Sequence, residues 1–290
     1  MISCSHGKHL AAKVAKKLKK KYSQLRVYKF PDGELYVRFM KNIRDKVVVL
    51  VQSFYGDIND CLIEVIFAAE TAKELGAEKV VLVAPYFPYL RQDKRFNPGE
   101  CVSIKIVAEL IDSAFNEIFI IDPHLHRQTT LSHLFKIKSA KLTANSCIAS
   151  YIRKNIKNPI IIGPDWESYK WAGKVAHVIN CGSYILKKKR YSGRKVKVTL
   201  NEKVKKTEFD GKSIVLIDDI ISTGNTLIEA IKILKKLGAE RFYCIAVHGI
   251  FVESALKRLR EVNAEVVTTN TIPNKLARID VSELIANEIK

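Results

Sequence analysis

Residues 214–226 read Ile214-Val215-Leu216-Ile217-Asp218-Asp219-Ile220-Ile221-Ser222-Thr223-Gly224-Asn225-Thr226, and their order decides the fold class. Four consecutive apolar residues suit a strand buried on both faces of a parallel sheet. Two carboxylates stand where that strand is expected to end, the edge at which open α/β sheets bind ligands. A short run of hydroxyl, glycine and amide residues follows. Leu227, Ile231, Leu234 and Leu237 then repeat at helical spacing, and Gly238 supplies a stop. Ser222 to Thr226 therefore open a helix N-terminus, where free backbone N–H groups and the helix dipole favour a phosphate. The hydroxyls of Ser222, Thr223 and Thr226 add donors. Asp218 and Asp219 would repel a phosphate, but they can accept hydrogen bonds from sugar hydroxyls or hold Mg²⁺. The expected ligand carries a phosphate at one end and a diol at the other, as ribose 5-phosphate does.

Two other phosphate loops are excluded. Gly211-Lys212-Ser213 mimics the end of a Walker A loop, but Lys206 occupies the required upstream glycine position and the triplet precedes the strand. No two glycines have Gly-x-Gly spacing, so a Rossmann fingerprint is absent as well. The whole string resembles the signature loop of the type I phosphoribosyltransferase family.

With 290 residues the chain can bury a sizeable core in one or two domains. Its hydrophobic content of 47% and charged content of 27% are those of a soluble globular protein. Lysines recur from Lys8 onward, which excludes an apolar leader, and no apolar run reaches the ~20 residues needed to span a bilayer. A membrane partner is therefore not expected. Cys4, Cys61, Cys101, Cys147, Cys181 and Cys244 lie far apart, which suits neither a zinc site nor a disulfide framework. Buried thiols in a reducing cytoplasm are the expected state.

The net charge of +19 is concentrated in one place. Lys187, Lys188, Lys189, Arg190, Arg194, Lys195, Lys197, Lys203, Lys205 and Lys206 face a single acid, Glu202, within 187–206. A second cluster, Lys13 to Lys21, falls on a helix with Val14 and Leu18 on its apolar side, so it reads as a solvated face. Neither cluster carries the interleaved aromatic stripe of single-strand binders, so nucleic acid is not an expected partner.

The pattern alternates strands and helices, which predicts parallel α/β layers. Strands are expected near 47–51, 80–84, 117–121, 160–162, 214–217, 242–247 and 265–269. Helices are expected near 60–75, 102–113, 143–156, 166–176, 226–237 and 253–261. Leu75-Gly76-Ala77-Glu78-Lys79 recurs 162 residues later as Leu237-Gly238-Ala239-Glu240-Arg241, each between a helix and a strand. The matching flanks predict two related domains, over 1–143 and 144–290. After its strand the first copy reads Gln52-Ser53-Phe54-Tyr55-Gly56-Asp57, without paired aspartates or Thr-Gly, so only the second keeps a sugar-phosphate loop.

Four more polar strings sit at expected turns or strand ends. Phe30-Pro31-Asp32-Gly33-Glu34 is a tight turn by chemistry. Pro85-Tyr86-Phe87-Pro88-Tyr89-Leu90-Arg91-Gln92-Asp93-Lys94-Arg95 ends in a fork of donors suited to polyphosphate. Asp122-Pro123-His124-Leu125-His126 places histidines at i and i+2, a pair that is either structural or metal-binding. Gly163-Pro164-Asp165 alone would be an ordinary turn. In this order, and with Thr271-Ile272-Pro273 near the end, they resemble the ribose-phosphate diphosphokinase family, its archaeal type in particular, across almost the whole chain.

That resemblance implies two related type I phosphoribosyltransferase-like domains, each a mostly parallel sheet flanked by helices. It implies transfer of the diphosphoryl group of ATP to the C1 hydroxyl of ribose 5-phosphate, with Mg²⁺ as cofactor, in the cytoplasm. It assigns Ser222, Thr223, Gly224, Asn225 and Thr226 to the sugar phosphate and Asp218 and Asp219 to the ribose hydroxyls. Arg91, Gln92 and Asp93 would contact ATP, and His124 and Asp165 would help place Mg²⁺. Phe30, Asp32 and Glu34 would reach the adenine in a neighbouring subunit, making the chain a homo-oligomer with a shared site. Lys188 and Arg190, spaced i and i+2, match the mobile catalytic pair of a basic loop hinged at Gly193. Two departures stand out. Trp166-Glu167-Ser168 replaces the usual glycines after Asp165, and Asn225 replaces a glycine, where its tolerance of a left-handed backbone preserves the turn. The competing readings are a non-catalytic regulatory member of the family and a phosphoribosyltransferase.

Overall fold

The computed structural model describes residues 1–125, 130–165, 168–190, 196–200 and 206–289. These form two compact units, Met1–Thr143 joined by the stretch that starts at Ser282, and Ala144–Val281.

In chain order the first unit contains β1 (Ile2–Ser3), α1 (Lys8–Lys17), β2 (Ser23–Gln24), β3 (Arg26–Lys29), β4 (Leu35–Arg38), β5 (Val47–Val51), α2 (Ile58–Glu74), β6 (Lys79–Ala84), α3 (Ser103–Ala114), β7 (Glu117–Ile121) and β8 (Lys138–Leu142). Its sheet has the order β2-β1-β5-β6-β7-β8, and every pairing is parallel. Runs such as Val80-Val81-Leu82-Val83-Ala84 are buried throughout, as a strand covered on both faces must be. β3 and β4 form a separate antiparallel hairpin.

The second unit follows with α4 (Asn145–Asn155), β9 (Pro159–Gly163), α5 (Tyr169–Ile179), β10 (Ser183–Arg190), β11 (Val196–Leu200), β12 (Ser213–Ile221), α6 (Asn225–Lys236), β13 (Arg241–Gly249), α7 (Ala255–Glu261), β14 (Ala264–Thr269) and β15 (Ala277–Ile279). Its order is β11-β10-β9-β12-β13-β14-β15, parallel except for the β10–β11 pair. Leaving out β11, the six-strand order repeats that of the first unit. In both units the chain leaves one strand, pairs on one side of it and then returns on the other. The switch lies between β1 and β5 in one unit and between β9 and β12 in the other.

The expected strands and helices all appear, with these differences. The helix expected to carry Lys13 to Lys21 ends at Lys17, with Leu18 at its C-cap. β12 does not stop at Ile217 but runs through both aspartates to Ile221, because its partner β13 continues alongside to Gly249. Part of the basic segment expected as a loop is an antiparallel ribbon, with Lys188 opposite Val198 and Arg190 opposite Val196. The hinge expected at Gly193 lies outside the described residues. The last helix, α8 (Ser282–Glu288), was expected within a second domain running to 290 but belongs to the first unit, where it packs on α1. Of the six thiols, Cys4, Cys61 and Cys244 are buried, but Cys101 is exposed and Cys147 and Cys181 are half-buried, so burial is less general than expected. Among the described residues no helix is long and apolar enough to cross a membrane.

Candidate functional site

The second unit's switch point gathers three carboxylates. Asp218 and Asp219 stand near the end of β12, and Asp165 follows β9, its neighbour in the sheet. Asp219 is 4% exposed, and its backbone N–H donates to Asp218 Oδ1 at 3.1 Å. Burial pushes the Asp218 carboxyl well above the usual carboxylate range, and repulsion from Asp219 and Asp165 adds to the shift. Such a cluster favours a cation or hydroxyl donors and disfavours an anion placed directly on it. Asp165 also shapes its own turn. Its Oδ1 accepts from the Ser168 backbone N–H at 2.9 Å and from Ser168 Oγ at 3.0 Å. Ser168 is fully buried at the N-cap position of α5, where its side chain bonds back to Asp165 and makes no cap hydrogen bond to the helix. Trp166 and Glu167 lie outside the described residues.

Ser222, Thr223 and Gly224 connect β12 to α6, and Asn225 and Thr226 are the first residues of that helix. The left-handed residue is Gly224, with φ of 74°, and not Asn225 as expected; Asn225 is helical. Glycine is needed there twice over, because a Cβ would also lie 3.3 Å from Leu259 Cδ1 of α7. The N–H groups of the first turn have no carbonyl to bond within the helix, and no acidic residue occupies that turn. The five residues thus form a helix start that could hold an anion, beside an acidic patch.

β10 brings the basic segment to the same sheet edge. Ile185 pairs with Gly163 at the end of β9, so residues 186–190 extend beyond β9 on the side where Asp165 and Asp218 lie. Lys188 and Arg190 sit two positions apart on this overhang, within the extended backbone of β10.

The other expected site residues belong to the first unit. Phe30, Asp32 and Glu34 form the exposed tip of the β3–β4 hairpin. There the Phe30 N–H donates to Glu34 O at 2.8 Å and the Glu34 N–H to Asp32 Oδ1 at 3.2 Å. Gly33, with φ of 98°, makes the turn. Phe30 packs edge-on to Tyr28 and Tyr36, which stack at 4.5 Å. Arg91, Gln92 and Asp93 follow β6, and His124 follows β7, so adjacent parallel strands deliver these two loops to one sheet edge. Arg91 is exposed, whereas Gln92 accepts from Ser103 Oγ at 3.2 Å. His126 lies outside the described residues. No group of three or more His, Cys, Asp or Glu side chains among the described residues forms a metal site.

One residue at the loop was missed from sequence. Arg258 of α7 donates to Asn225 Oδ1 and, at 3.5 Å, to Thr223 O. No local motif marks it, because the contact spans more than thirty residues.

Comparison with known proteins shows the family. The model of the N-terminal domain of ribose phosphate pyrophosphokinase matches residues 1–114, and that of the phosphoribosyl transferase domain matches residues 130–284. The ribose-phosphate pyrophosphokinase of Methanobrevibacter smithii is 36% identical, over 100% of this chain and 99% of its own. That of Pyrococcus furiosus is 35% identical over 99% of each. The crystal structure of phosphoribosylpyrophosphate synthetase from Mycobacterium smegmatis superposes with a TM-score of 0.85 at 27% identity, covering 100% of this chain and 97% of that one. Its fold is accordingly two phosphoribosyltransferase-like domains, and the chain belongs to the ribose-phosphate pyrophosphokinase family.

Proposed function

We propose that this chain transfers the diphosphoryl group of ATP to ribose 5-phosphate. The C1 hydroxyl oxygen bonds to the β-phosphorus, the bond to the bridging α–β oxygen breaks, and AMP departs with that oxygen. The hydroxyl proton goes to solvent. The observation that carries the reading is the second unit's switch point, where an acid-free helix start stands beside the half-buried Asp218 and the buried Asp219. A phosphate fits the first and a sugar diol the second.

In this reading Ser222, Thr223, Gly224, Asn225 and Thr226 hold the sugar phosphate, and Asp218 and Asp219 accept from the ribose hydroxyls. Arg91, Gln92 and Asp93 contact ATP. Lys188 and Arg190, on the β10 overhang, meet charge that builds on the transferred group. Phe30, Asp32 and Glu34 serve a second copy of the chain, which makes the working form a homo-oligomer in the cytoplasm. The carboxylate of Asp165, whose charge reaches Asp218, suits Mg²⁺, which binds through few carboxylates together with water and substrate phosphates. Asp165 in the second unit and, separately, His124 in the first are the residues proposed to help place Mg²⁺, and bound Mg²⁺ would neutralise phosphate charge.

The test mixes the protein with ATP, Mg²⁺ and ribose 5-phosphate. AMP should appear in equal amount with 5-phosphoribosyl 1-diphosphate. An inert mixture would leave a non-catalytic family member. Inert ATP together with consumption of added 5-phosphoribosyl 1-diphosphate and a base would leave a phosphoribosyltransferase.

A further inference from the structure

The sugar-phosphate loop is held from behind by a strap made of residues 250–254, which join β13 to α7, and the first turn of α7, which carries Arg258. Ile221 O accepts from the backbone N–H of Ile250 at 3.0 Å and of Phe251 at 3.1 Å. Ser222 O accepts from the Val252 N–H at 3.1 Å, and Thr223 O from the Arg258 guanidinium. Three successive carbonyls are therefore drawn toward the strap. In a trans peptide the following N–H points the opposite way, so the N–H groups of Ser222, Thr223 and Gly224 face away from it. Successive N–H groups turned to one side form a concavity for anions.

Arg258 adds a second effect. A guanidinium has only donors, so the Asn225 atom it meets is the carbonyl Oδ1. The amide NH₂ of Asn225 is the donor end, and a phosphate can use it where glycine would offer none. The strap itself is strained. Phe251, Glu253 and Ser254 all adopt left-handed backbone, with φ of 55°, 51° and 57°. Gly249 makes room for it, since a Cβ there would lie 2.5 Å from Phe251 Cε2. Non-glycine residues held in this region cluster where surrounding structure has a use for the conformation.

We propose that this strap, with Arg258 as its positioning side chain, shapes the anion-binding face of the 222–226 loop and so sets affinity for the sugar phosphate. The inference rests on the reading of that loop as the ribose 5-phosphate site. Calorimetry with ribose 5-phosphate on the full chain tests both. Wild-type protein that binds none would sink the site reading itself. If wild type binds, Arg258→Ala should weaken affinity about 10- to 100-fold, the range for losing hydrogen bonds from a charged group. Free guanidinium should restore part of the loss, a rescue that a merely structural arginine would not show. Arg258→Lys keeps the charge but loses the fork, so an intermediate loss is expected even if the alanine variant fails to fold. Affinity within twofold of wild type in the folded variants would overturn the inference, as would a loss that guanidinium does not relieve.

Discussion

The ends of β5 and β12 occupy matching places in two sheets of the same order, yet they present opposite chemistry. The 162-residue offset that aligns Leu75 with Leu237 also aligns Glu74 with Lys236, the last residues of α2 and α6. α2 has 17 residues against 12 in α6, so its extra residues all lie at the N-terminal end. It therefore starts roughly 7 Å nearer the place where a phosphate would sit, at 1.5 Å per residue. That end is acidic, with Asp57 at the cap, Asp60 in the first turn and Asp60 paired with Lys29. Carboxylates at a helix start already satisfy its dipole and repel a phosphate.

Glu64 completes the closure. The same offset places it opposite Thr226, the last residue of the proposed sugar-phosphate loop. Its buried carboxylate accepts from the Ser5 N–H at 2.7 Å, from Ser5 Oγ and from Gln52 Nε2 at 3.1 Å. An internal anion thus bridges the loops after β1 and β5, where an external one could otherwise bind. The strands beside the switch differ too. β2 stops at Gln24, whereas β10 runs on to Arg190 beyond its neighbour. One architecture serves two ends: a closed switch point and one left open.

The largest effect is expected on the overhang that the first unit lacks. Lys188→Ala and Arg190→Ala should each lower turnover by about 10²–10⁴ at saturating substrates, by comparison with arginine fingers. Lys187→Ala and Lys189→Ala should change it little. A uniform, salt-sensitive decline across all four variants would mean that the segment only steers anions.

Next comes the acidic patch. Asp218→Asn with Asp219→Asn should weaken ribose 5-phosphate binding by about 100-fold, because charged acceptors become neutral ones. ATP affinity should move far less. Equal losses for both substrates would remove the assignment to the ribose hydroxyls.

Glu64→Gln addresses the closed side. The new amide sets a donor against Gln52 Nε2 or Ser5 Oγ, and the fold should lose about 1–3 kcal/mol in denaturant unfolding. Affinity for ribose 5-phosphate should not change. A drop would join the two switch points in one function and break the comparison.

A smaller effect is expected from pH. Burial raises the carboxyl of Glu64 above its ordinary 4.5, and burial with repulsion raises that of Asp218 above 3.8. A raised folded-state value means stability present in full below the ordinary value and lost as pH rises through the raised one. Ligand-free protein should therefore lose stability as pH rises from the ordinary carboxylate range, and the Asp218→Asn, Asp219→Asn variant should lose less. Identical profiles would remove the electrostatic account of the acidic patch.

Much of this was legible in the sequence because local signals agreed. The apolar run Ile214–Ile217, the paired acids, the small polar loop and the helical repeat after it point to one strand–loop–helix unit. The repeated Leu-Gly-Ala-Glu string exposed the duplication. Less visible features depend on contacts distant in sequence. β12 outlasts its apolar run because β13 does, and Arg258 meets Asn225 only once α7 packs behind the loop. The closure by Glu64 needs Ser5, far back in the chain. The β10–β11 ribbon did leave a local trace, the alternation Val196-Lys197-Val198, but the density of charge concealed it.

The central claim is that each chain binds one ribose 5-phosphate, at the β9–β12 edge. Titration calorimetry on wild type, Glu64→Gln and the Asp218→Asn, Asp219→Asn variant tests it most directly. One site per chain is predicted, unchanged by Glu64→Gln and lost or severely weakened in the aspartate variant. Two sites per chain, or binding that survives the loss of both aspartates, would contradict the account.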